Sequence, residues 1–369
     1  MQTLYIRPIG FADSPQSEEG NAIRLAGGLV YVARFALIVR DGAKIVSRRR
    51  FMADEAGDVL GALPDTLAAE AAAQWANLKA QHAPITCGVR TVRLDQPQIM
   101  GILNVTPDSF SDGGKFLDKP EAALEHAAAM LEAGAAIIDV GGESTRPGAP
   151  AVWEGDEVRR VVSVIARLAS SGAAVSIDSR RSTVIAEALA AGAHIVNDVS
   201  ALRHDPRSLE VVAASGAPVV LMHAPGGEKD LHADGDYADV VLDVFDALRE
   251  RRDAAVAGGI ARHKILLDPG IGFGKSLAEN LALINALPLF HALGQPILLG
   301  ASRKRMIGAL AGEAPAHERL GGSVLLAARG FDAAMQLLRV HDVAETVQAL
   351  RVWRGLRDAA LTDFSQLGV

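Results

Sequence analysis

The chain has 369 residues, 49% of them hydrophobic and 22% charged, as in a globular protein with one large domain and a smaller one. Its net charge of −7 argues against general nucleic-acid binding, which requires a basic face. A single cysteine, Cys87, excludes a disulfide framework and a metal site built from several thiolates. The first ten residues lack a charged segment followed by an apolar core, and the apolar stretch 29–39 is interrupted by Arg34. We therefore expect a cytoplasmic protein that binds neither membranes nor nucleic acid.

Residues 1–95 differ in pattern from the rest of the chain. Two strand-like runs within residues 22–46 are separated by Asp41-Gly42, a favourable hairpin turn, and the Ala-rich stretch 66–82 predicts a helix. Pro84 and the polar stretch 93–98 indicate a boundary. We predict a small α+β extension over residues 1–95 and a second domain over residues 96–369. The sequence assigns no role to the extension beyond packing against that domain or serving in assembly.

The second domain contains eight short apolar runs with Ala- and Leu-rich helical segments between them. Continuous apolar runs of this length are typical of strands buried on both faces, as in a parallel sheet. The runs are 101–104, 136–140, 175–178, 195–198, 219–223, 265–268, 297–302 and 337–341. Segments 120–133, 154–169, 183–191, 239–257 and 278–287 have helical spacing. Strands and helices therefore alternate along the chain, which predicts an α/β protein with a (β/α)₈ TIM barrel. The length of this part of the chain is close to the roughly 250 residues that are typical of such a barrel. An open doubly wound sheet is the alternative.

A polar or ionisable residue stands at the C-terminal end of every predicted strand. In a (β/α)₈ barrel those ends build the active site, whereas an open sheet uses only the ends near its switch point. Any one of these residues could instead cap a helix or face solvent. The whole set indicates a site; it comprises Asn104, Asp139, Asp178, Asn197, His223, Asp268, Ser302, Arg339 and His341.

The chemistry of these ends indicates two kinds of ligand group. Basic residues cluster near them in an otherwise acidic protein, which favours an anion such as phosphate, and they are Arg146, Lys275, Arg303, Lys304, Arg305, Arg339 and His341. The acids and amide Asp178, Asn197 and Asp268 suit an amino-pyrimidinone ring with adjacent N–H donors, whose carbonyl oxygen Lys304 could bind. For Asp139 and Asp198 the alternative is a buried ionic network that braces the barrel.

Several familiar catalytic motifs are absent from the sequence. Residues 270–276 look like a phosphate-binding P-loop, but the spacing is wrong, and they are better interpreted as a glycine loop that places Phe273 and Lys275 over the site. No Ser–His–acid arrangement and no His-Glu-x-x-His spacing can be nominated. We therefore expect catalysis by positioning and electrostatics, without a covalent nucleophile.

Eight segments of the chain resemble dihydropteroate synthases, the folate-pathway enzymes that sulfonamides inhibit. They are Asn-Val-Thr-Pro-Asp-Ser-Phe-Ser-Asp-Gly-Gly at 104–114, Asp-Val-Gly-Gly-Glu-Ser-Thr-Arg-Pro-Gly at 139–148, 176–179, 196–198, 221–223, 268–275, 302–304 and 339–342. The first two are highly specific, and the resemblance covers residues 97 to about 355. The extension lies outside it.

The resemblance implies a transferase that condenses 6-hydroxymethyl-7,8-dihydropterin diphosphate with p-aminobenzoate, giving 7,8-dihydropteroate and pyrophosphate by an S_N1-like route. It implies a pterin site made of Asp178, Asn197, Met222, Asp268, Phe273 and Lys304. It implies a diphosphate site made of Asn104, Arg339 and His341, with Mg²⁺ bound beside Asn104. It implies a p-aminobenzoate site made of Phe110, Thr145, Arg146, Pro147 and Ser302. Within these sets Asn104, Asp178, Asp268, Lys304, Arg339 and His341 are the expected catalytic residues, and we expect a homodimer.

The sequence departs from the family pattern in places. Ala201 stands where many members have Gly, Ser323 stands where Thr is frequent, and the loop after His223 reads Ala-Pro-Gly-Gly. The alternatives to the synthase are a pterin-dependent methyltransferase on the same barrel and a non-catalytic pterin-binding barrel. The methyltransferase would have no use for the Ser-Thr-Arg-Pro segment or for the Arg339 and His341 pair.

Overall fold

The N-terminal extension is an antiparallel sheet covered by helices, in a computed structural model that describes residues 2–105, 120–144, 152–226 and 230–361. Its elements are β1 (Gln2–Ala12), β2 (Ile23–Arg24), β3 (Tyr31–Asp41), β4 (Lys44–Met52), α1 (Ala56–Gly61), α2 (Asp65–Lys79), β5 (Ile85–Cys87) and β6 (Arg90–Val92). The sheet order is β1-β3-β2, and β4 also pairs with β3 through a turn in which Gly42 has a φ of 56°. Phe35, Phe51 and Trp75 form an aromatic cluster between the sheet and α2.

The second part of the chain contains eight parallel strands, one for each apolar run. They are β7 (Gln98–Asn104), β8 (Ile137–Gly141), β9 (Val175–Asp178), β10 (Ile195–Asp198), β11 (Val219–Met222), β12 (Ile265–Asp268), β13 (Leu298–Leu299) and β14 (Leu337–Val340). The order is β12-β11-β10-β9-β8-β7-β14-β13, and a parallel bridge between Leu267 and Ile297 joins the two edges. The predicted (β/α)₈ barrel is confirmed, and the open sheet is not.

Helices surround this barrel as the sequence predicts. They are α3 (Pro120–Ala133), α4 (Glu154–Ser170), α5 (Ser182–Ala190), α6 (Ser208–Ser215), α7 (Val240–Ala257), α8 (Leu277–Ala286), α9 (Arg305–Leu310), α10 (Leu320–Asp332) and α11 (Val343–Leu361). Local caps explain two starts: Asp239 accepts from the backbone N–H groups of Val241 and Leu242, and Ser276 forms a capping box with Glu279. Across the described ranges, no helix combines the length and apolarity needed to cross a bilayer.

A hairpin formed by β5 and β6 closes the N-terminal end of the barrel. Ile85, Cys87, Val92 and Leu94 are buried in one apolar cluster with the first inward-facing residues of the strands, such as Met100 and Leu337. This hairpin is missing from the sequence prediction. It lies before residue 96 in the chain, yet it packs into the barrel and supplies part of its core.

The rest of the extension packs on the outside of the barrel, mainly against α7 and residues 287–293. Tyr5 meets Phe245 edge-to-face at 5.4 Å, and its hydroxyl donates to Asp246 at 2.6 Å. Arg40 pairs with Asp243 and Asp246, and Asn77 donates to the carbonyl of Ala292. The described mouth at the C-terminal ends of the strands takes none of these contacts.

Candidate active site

The predicted polar residues of neighbouring strands meet at the C-terminal end of the barrel. Asn104, Gly141, Asp178 and Asn197 are register partners across β7, β8, β9 and β10, and Met222 pairs with Asp268 across β11 and β12. Parallel strands in register carry their ends to the same edge of the sheet. The acids and amide are therefore next to each other rather than distributed around the protein.

Arg339 of β14 links the basic and acidic parts of this mouth. Its Nη2 donates to Asp178 at 2.6 Å and its Nε donates to Asp139 at 2.6 Å. The two carboxylates raise the pKa of the guanidinium. Burial raises the pKa of Asp178 to about 7, although Arg339 acts in the opposite direction. The second oxygen of Asp178, Oδ1, accepts no hydrogen bond from the described residues.

Asp268 and Lys304 form the other side of the mouth. The Oδ1 atom of Asp268 accepts from the Gly270 backbone N–H at 2.7 Å, and its Oδ2 has no donor among the described residues. Burial raises the pKa of Asp268 and lowers the pKa of Lys304 to about 8. The Lys304 ammonium lies 4.1 Å from the ring centre of Phe273. A Cβ atom on Gly300 would lie 3.8 Å from Asp268 Oδ2 and 4.0 Å from the Cβ of Arg339, so both residues border the space beside this glycine.

The glycine loop after β12 holds Lys275 in a carbonyl cage. Its ammonium donates to Gly270 and Phe273 carbonyls at 2.8 and 2.9 Å and approaches that of His223 at 3.4 Å. Gly270 has a φ of +70°, and a Cβ there would lie 1.9 Å from the His223 carbonyl oxygen, so only glycine fits. Lys275 is thus a brace of the loop, with its donors directed at backbone rather than at the mouth.

An apolar wall lies beside these polar groups. Val199, Met222, Ala224, Leu231 and Phe273 form one buried cluster above the end of β11. The imidazole of His232 stacks on Phe273 with ring centres 5.1 Å apart. A flat heterocycle could pack on this wall while Asp178, Asn197 and Asp268 bind its edge.

The ends of β13 and β14 place His341 next to Ser302. The Ser302 hydroxyl lies 3.1 Å from His341 Nδ1 and accepts from the His341 backbone N–H at 3.2 Å. Arg303 does not reach the mouth: its Nε donates to Asp342 at 3.0 Å. Arg305 is exposed and lies 4.0 Å from Glu313.

Asn104 is the candidate metal ligand. A Cβ atom on Gly141 of the neighbouring strand would lie 3.5 Å from the Asn104 side-chain oxygen and 3.7 Å from Asp178 Oδ2, so both oxygens border the space that this glycine leaves open. Among the described residues, no group of three or more His, Cys, Asp or Glu side chains is placed to hold a metal ion. A single amide oxygen fits Mg²⁺ of the kind that keeps several waters and is bound together with substrate phosphates. It does not fit a metal held by protein ligands alone.

Four residues of the predicted p-aminobenzoate site lie outside the described residues: Phe110, Thr145, Arg146 and Pro147. The base of the segment that carries the last three is described. Glu143 accepts from Arg181 at 2.8 Å, and Arg181 also pairs with buried Glu157. Glu157 in turn accepts from Ser179 at 2.7 Å. An ion-pair network therefore ties residue 143 to α4 and to the end of β9.

The departures from the family pattern have local explanations. Ala201 and Leu202 have φ values of 54° and 61°, a left-handed conformation that glycine adopts without strain. Asp198 stabilises this turn, accepting from the backbone N–H groups of Ser200 and Leu202. The hydroxyl of Ser323 accepts from the Arg303 backbone N–H at 2.9 Å, as a threonine hydroxyl also could.

Comparison with known proteins identifies the family. A sequence model described as "Pterin binding enzyme" matches residues 100–341. Dihydropteroate synthase of Neisseria meningitidis serogroup B is 46% identical over 270 residues, covering 72% of this chain and 94% of that protein. The chain belongs to the dihydropteroate synthase family. It is therefore an enzyme, a transferase of the folate pathway.

Solved structures of the family agree with this assignment. Xanthomonas albilineans dihydropteroate synthase with 4-aminobenzoic acid is 47% identical, with a TM-score of 0.70, and the match covers 75% of this chain and 99% of that chain. The same enzyme in complex with 7,8-dihydropteroate is 44% identical with a TM-score of 0.67, over 74% of this chain and 99% of that one. These relatives are synthases, so the methyltransferase and the non-catalytic barrel are not supported.

Proposed function

We propose that the protein condenses 6-hydroxymethyl-7,8-dihydropterin diphosphate with p-aminobenzoate at this mouth, with the pterin between Asp268, Lys304, Asn197 and Asp178. The observation that carries the proposal is a set of polar atoms facing one space. Oδ1 of Asp178 and Oδ2 of Asp268 lack hydrogen-bond donors among the described residues, and the Lys304 ammonium lies over the ring of Phe273 with no hydrogen-bond acceptor among those residues. Largely buried polar groups require partners, and an amino-pyrimidinone edge supplies both N–H donors and a carbonyl acceptor.

The two reacting parts of the substrate would then be held by different sides of the mouth. Asp178 and Asp268 would bind the ring, while Met222 and Phe273 would pack on its face. The remaining N–H groups of Arg339, together with His341, would bind the diphosphate, which would lie beside Asn104. Arg339 touches both groups of residues, so the CH₂–O bond that joins ring and diphosphate would lie next to it.

In the proposed reaction the bond between the CH₂ carbon and the diphosphate oxygen breaks, and the electron pair leaves with pyrophosphate. The positive charge that remains is delocalised into the dihydropterin, where the carboxylates of Asp178 and Asp268 stabilise it. The neutral amine of p-aminobenzoate then attacks the CH₂ group and loses a proton, so no strong base is required. Mg²⁺, when bound beside Asn104, would neutralise charge on the leaving group.

A direct assay tests the proposal. The purified protein with Mg²⁺ should release pyrophosphate only when the pterin diphosphate is present, and should form dihydropteroate when p-aminobenzoate is added. Substitution of Asn104 by Ala should raise the Mg²⁺ concentration needed for half-maximal rate. Binding of both substrates without product would refute the reaction, and an unchanged Mg²⁺ requirement would remove Asn104 from the metal site.

We further propose that residues 96–369 form the catalytic domain and that residues 1–95 have a structural role. The buried hairpin supports this role, because Ile85, Cys87 and Val92 complete the core at the closed end of the barrel. A chain that begins at Gln96 should lose stability and, with it, activity. A matched chain that begins at Pro84 keeps the hairpin and should retain more of both. Full activity of the shorter chain would refute a structural role for residues 84–95.

A homodimer in the cytoplasm completes the proposal. Apolar side chains on the last two helices support self-association, since Leu325, Val352 and Leu356 are 62, 60 and 67% exposed. Sedimentation of the wild-type chain and of a Leu325→Glu, Leu356→Glu variant tests the dimer, and cell fractionation tests the location. A monomeric wild-type chain would contradict the first expectation.

A further inference from the structure

Asp139 lies beneath the mouth and contacts both sides of the proposed site. It is fully buried on β8, and one oxygen, Oδ2, accepts from Asn197 Nδ2 at 3.1 Å and from Arg339 Nε at 2.6 Å. The three residues come from β8, β10 and β14, and alternate strands of a barrel contribute side chains to the same interior layer. Asp139 is therefore the one described residue that hydrogen-bonds both Asn197 and Arg339.

We infer that Asp139 is a positioning residue that sets the pterin-binding amide of Asn197 and the diphosphate-binding guanidinium of Arg339 at a fixed separation. The inference rests on the proposed function, because it gives Asn197 and Arg339 their two ligands. Asp139 itself is covered by these side chains and would act through them rather than touch the substrate.

The hydrogen bonds explain how one oxygen can orient two groups. An amide has a donor end and an acceptor end, and donation from Asn197 Nδ2 to Asp139 decides which end is directed at the ring. A guanidinium is planar, so fixing Arg339 Nε on Asp139 and Nη2 on Asp178 fixes its plane and leaves its other N–H groups for the diphosphate. The geometry of the CH₂–O bond relative to both groups would follow from these contacts.

A bracing role for Asp139 would have different consequences. A carboxylate that only stabilises the barrel would be satisfied by local backbone donors, as Asp198 is by Ser200 and Leu202. Asp139 has no such donors among the described residues, and its second oxygen, Oδ1, is buried without a partner. Burying an oxygen without a donor costs free energy, and a role in bracing the barrel does not explain that cost. The position of Asp139 is instead explained by its hydrogen bonds to two side chains of the mouth.

The test compares Asp139→Ala with the isosteric Asp139→Asn, which keeps an oxygen acceptor but loses the charge. We expect Asp139→Ala to lower kcat/KM for the pterin diphosphate about 100-fold while KM for p-aminobenzoate stays within about twofold. Asp139→Asn should recover about tenfold of that loss. Asp198→Asn, also fully buried, is the control for lost stability, and it should lower the melting temperature without the selective effect on the pterin substrate.

A double-mutant cycle separates positioning from bracing. In the Arg339→Met background, the loss caused by Asp139→Asn should shrink, because one of the side chains that Asp139 orients is gone. Additive losses, wild-type kinetics of Asp139→Ala, or equal effects on both substrates would overturn the inference. Calorimetry with 6-hydroxymethyl-7,8-dihydropterin and with pyrophosphate gives a readout independent of turnover. If the wild-type protein binds both but makes no dihydropteroate, the proposed reaction fails while the role of Asp139 is still decided by these affinities.

Discussion

Replacing Asp268 with Asn is the sharpest perturbation of the proposed pterin site, because it changes one atom with little change in shape. Oδ1 of Asp268 already accepts from the Gly270 N–H at 2.7 Å, and an asparagine oxygen can keep that bond. The atom that changes is Oδ2, which becomes an N–H donor. If that atom faces the N–H groups of the ring, two donors are brought together in place of a charged hydrogen bond.

The expected magnitude follows from that single exchange. A hydrogen bond to a charged group contributes about 1.5–3 kcal/mol, so pterin affinity should fall roughly 10- to 150-fold. The fold should survive, because the glycine loop keeps its contact with position 268. The carboxylate of Asp268 also counteracts the burial that lowers the pKa values of Lys304 and Lys275. Its removal should lower both pKa values further, which adds to the loss of pterin affinity.

Calorimetry with 6-hydroxymethyl-7,8-dihydropterin near pH 7.5 measures the effect without the reaction. Asp205→Asn is a matched control, because Asp205 accepts from the Ser182 and Arg207 backbone N–H groups and has no part in the proposed pterin site. Its affinity for the pterin should equal that of the wild type. An Asp268→Asn affinity within twofold of wild type, or an equal loss in the control, would refute the assignment of Asp268.

Three further results are expected. The value of kcat/KM should be highest between about pH 7 and pH 8. Below this range Asp178, whose pKa is raised to about 7, gains a proton and stops accepting from the ring. Above it Lys304, whose pKa is lowered to about 8, loses its proton and its charge. A flat profile from pH 6 to pH 9 would contradict this. Lys275→Met should lower the free energy of unfolding by about 2 kcal/mol in urea titrations and raise KM for the pterin substrate, because the backbone carbonyls of the loop lose their donor; unchanged stability would exclude the brace. Cys87, whose thiol is buried with a pKa raised to about 11, should react with an aromatic disulfide reagent at neutral pH only when the protein unfolds. Rapid labelling of the native chain would be inconsistent with a closed barrel end.

Much of the barrel could be predicted because its strands are continuous apolar runs. Strands β9, β10 and β12 begin and end where the runs do, and helix α3 has the predicted bounds. Strand β13 is shorter than its run, two residues within 297–302, because the chain after Leu299 turns to place Ser302 and Arg303. The hairpin of β5 and β6 could not be predicted, since three-residue strands carry too little periodic pattern.

The sequence indicated which residues lie at the site, but only partly which partners their side chains contact. Polar residues at strand ends indicate the mouth, and the structure brings Asp178, Asp268, Lys304 and Arg339 together there. The sequence could not indicate that Arg303 is paired with Asp342 and directed away, or that Lys275 binds backbone carbonyls. Such details depend on side-chain direction at loop positions, which no periodicity specifies.

The sharing of Arg339 between two carboxylates has a consequence for substrate capture. Among the described groups at this rim, the cations Lys304 and Arg339 are matched by Asp139, Asp178 and Asp268, so these side chains together carry no net positive charge. A multiply charged anion is therefore not drawn in from a distance by a net positive field. It must arrive with its own counter-ion, and its association rate should vary little with ionic strength.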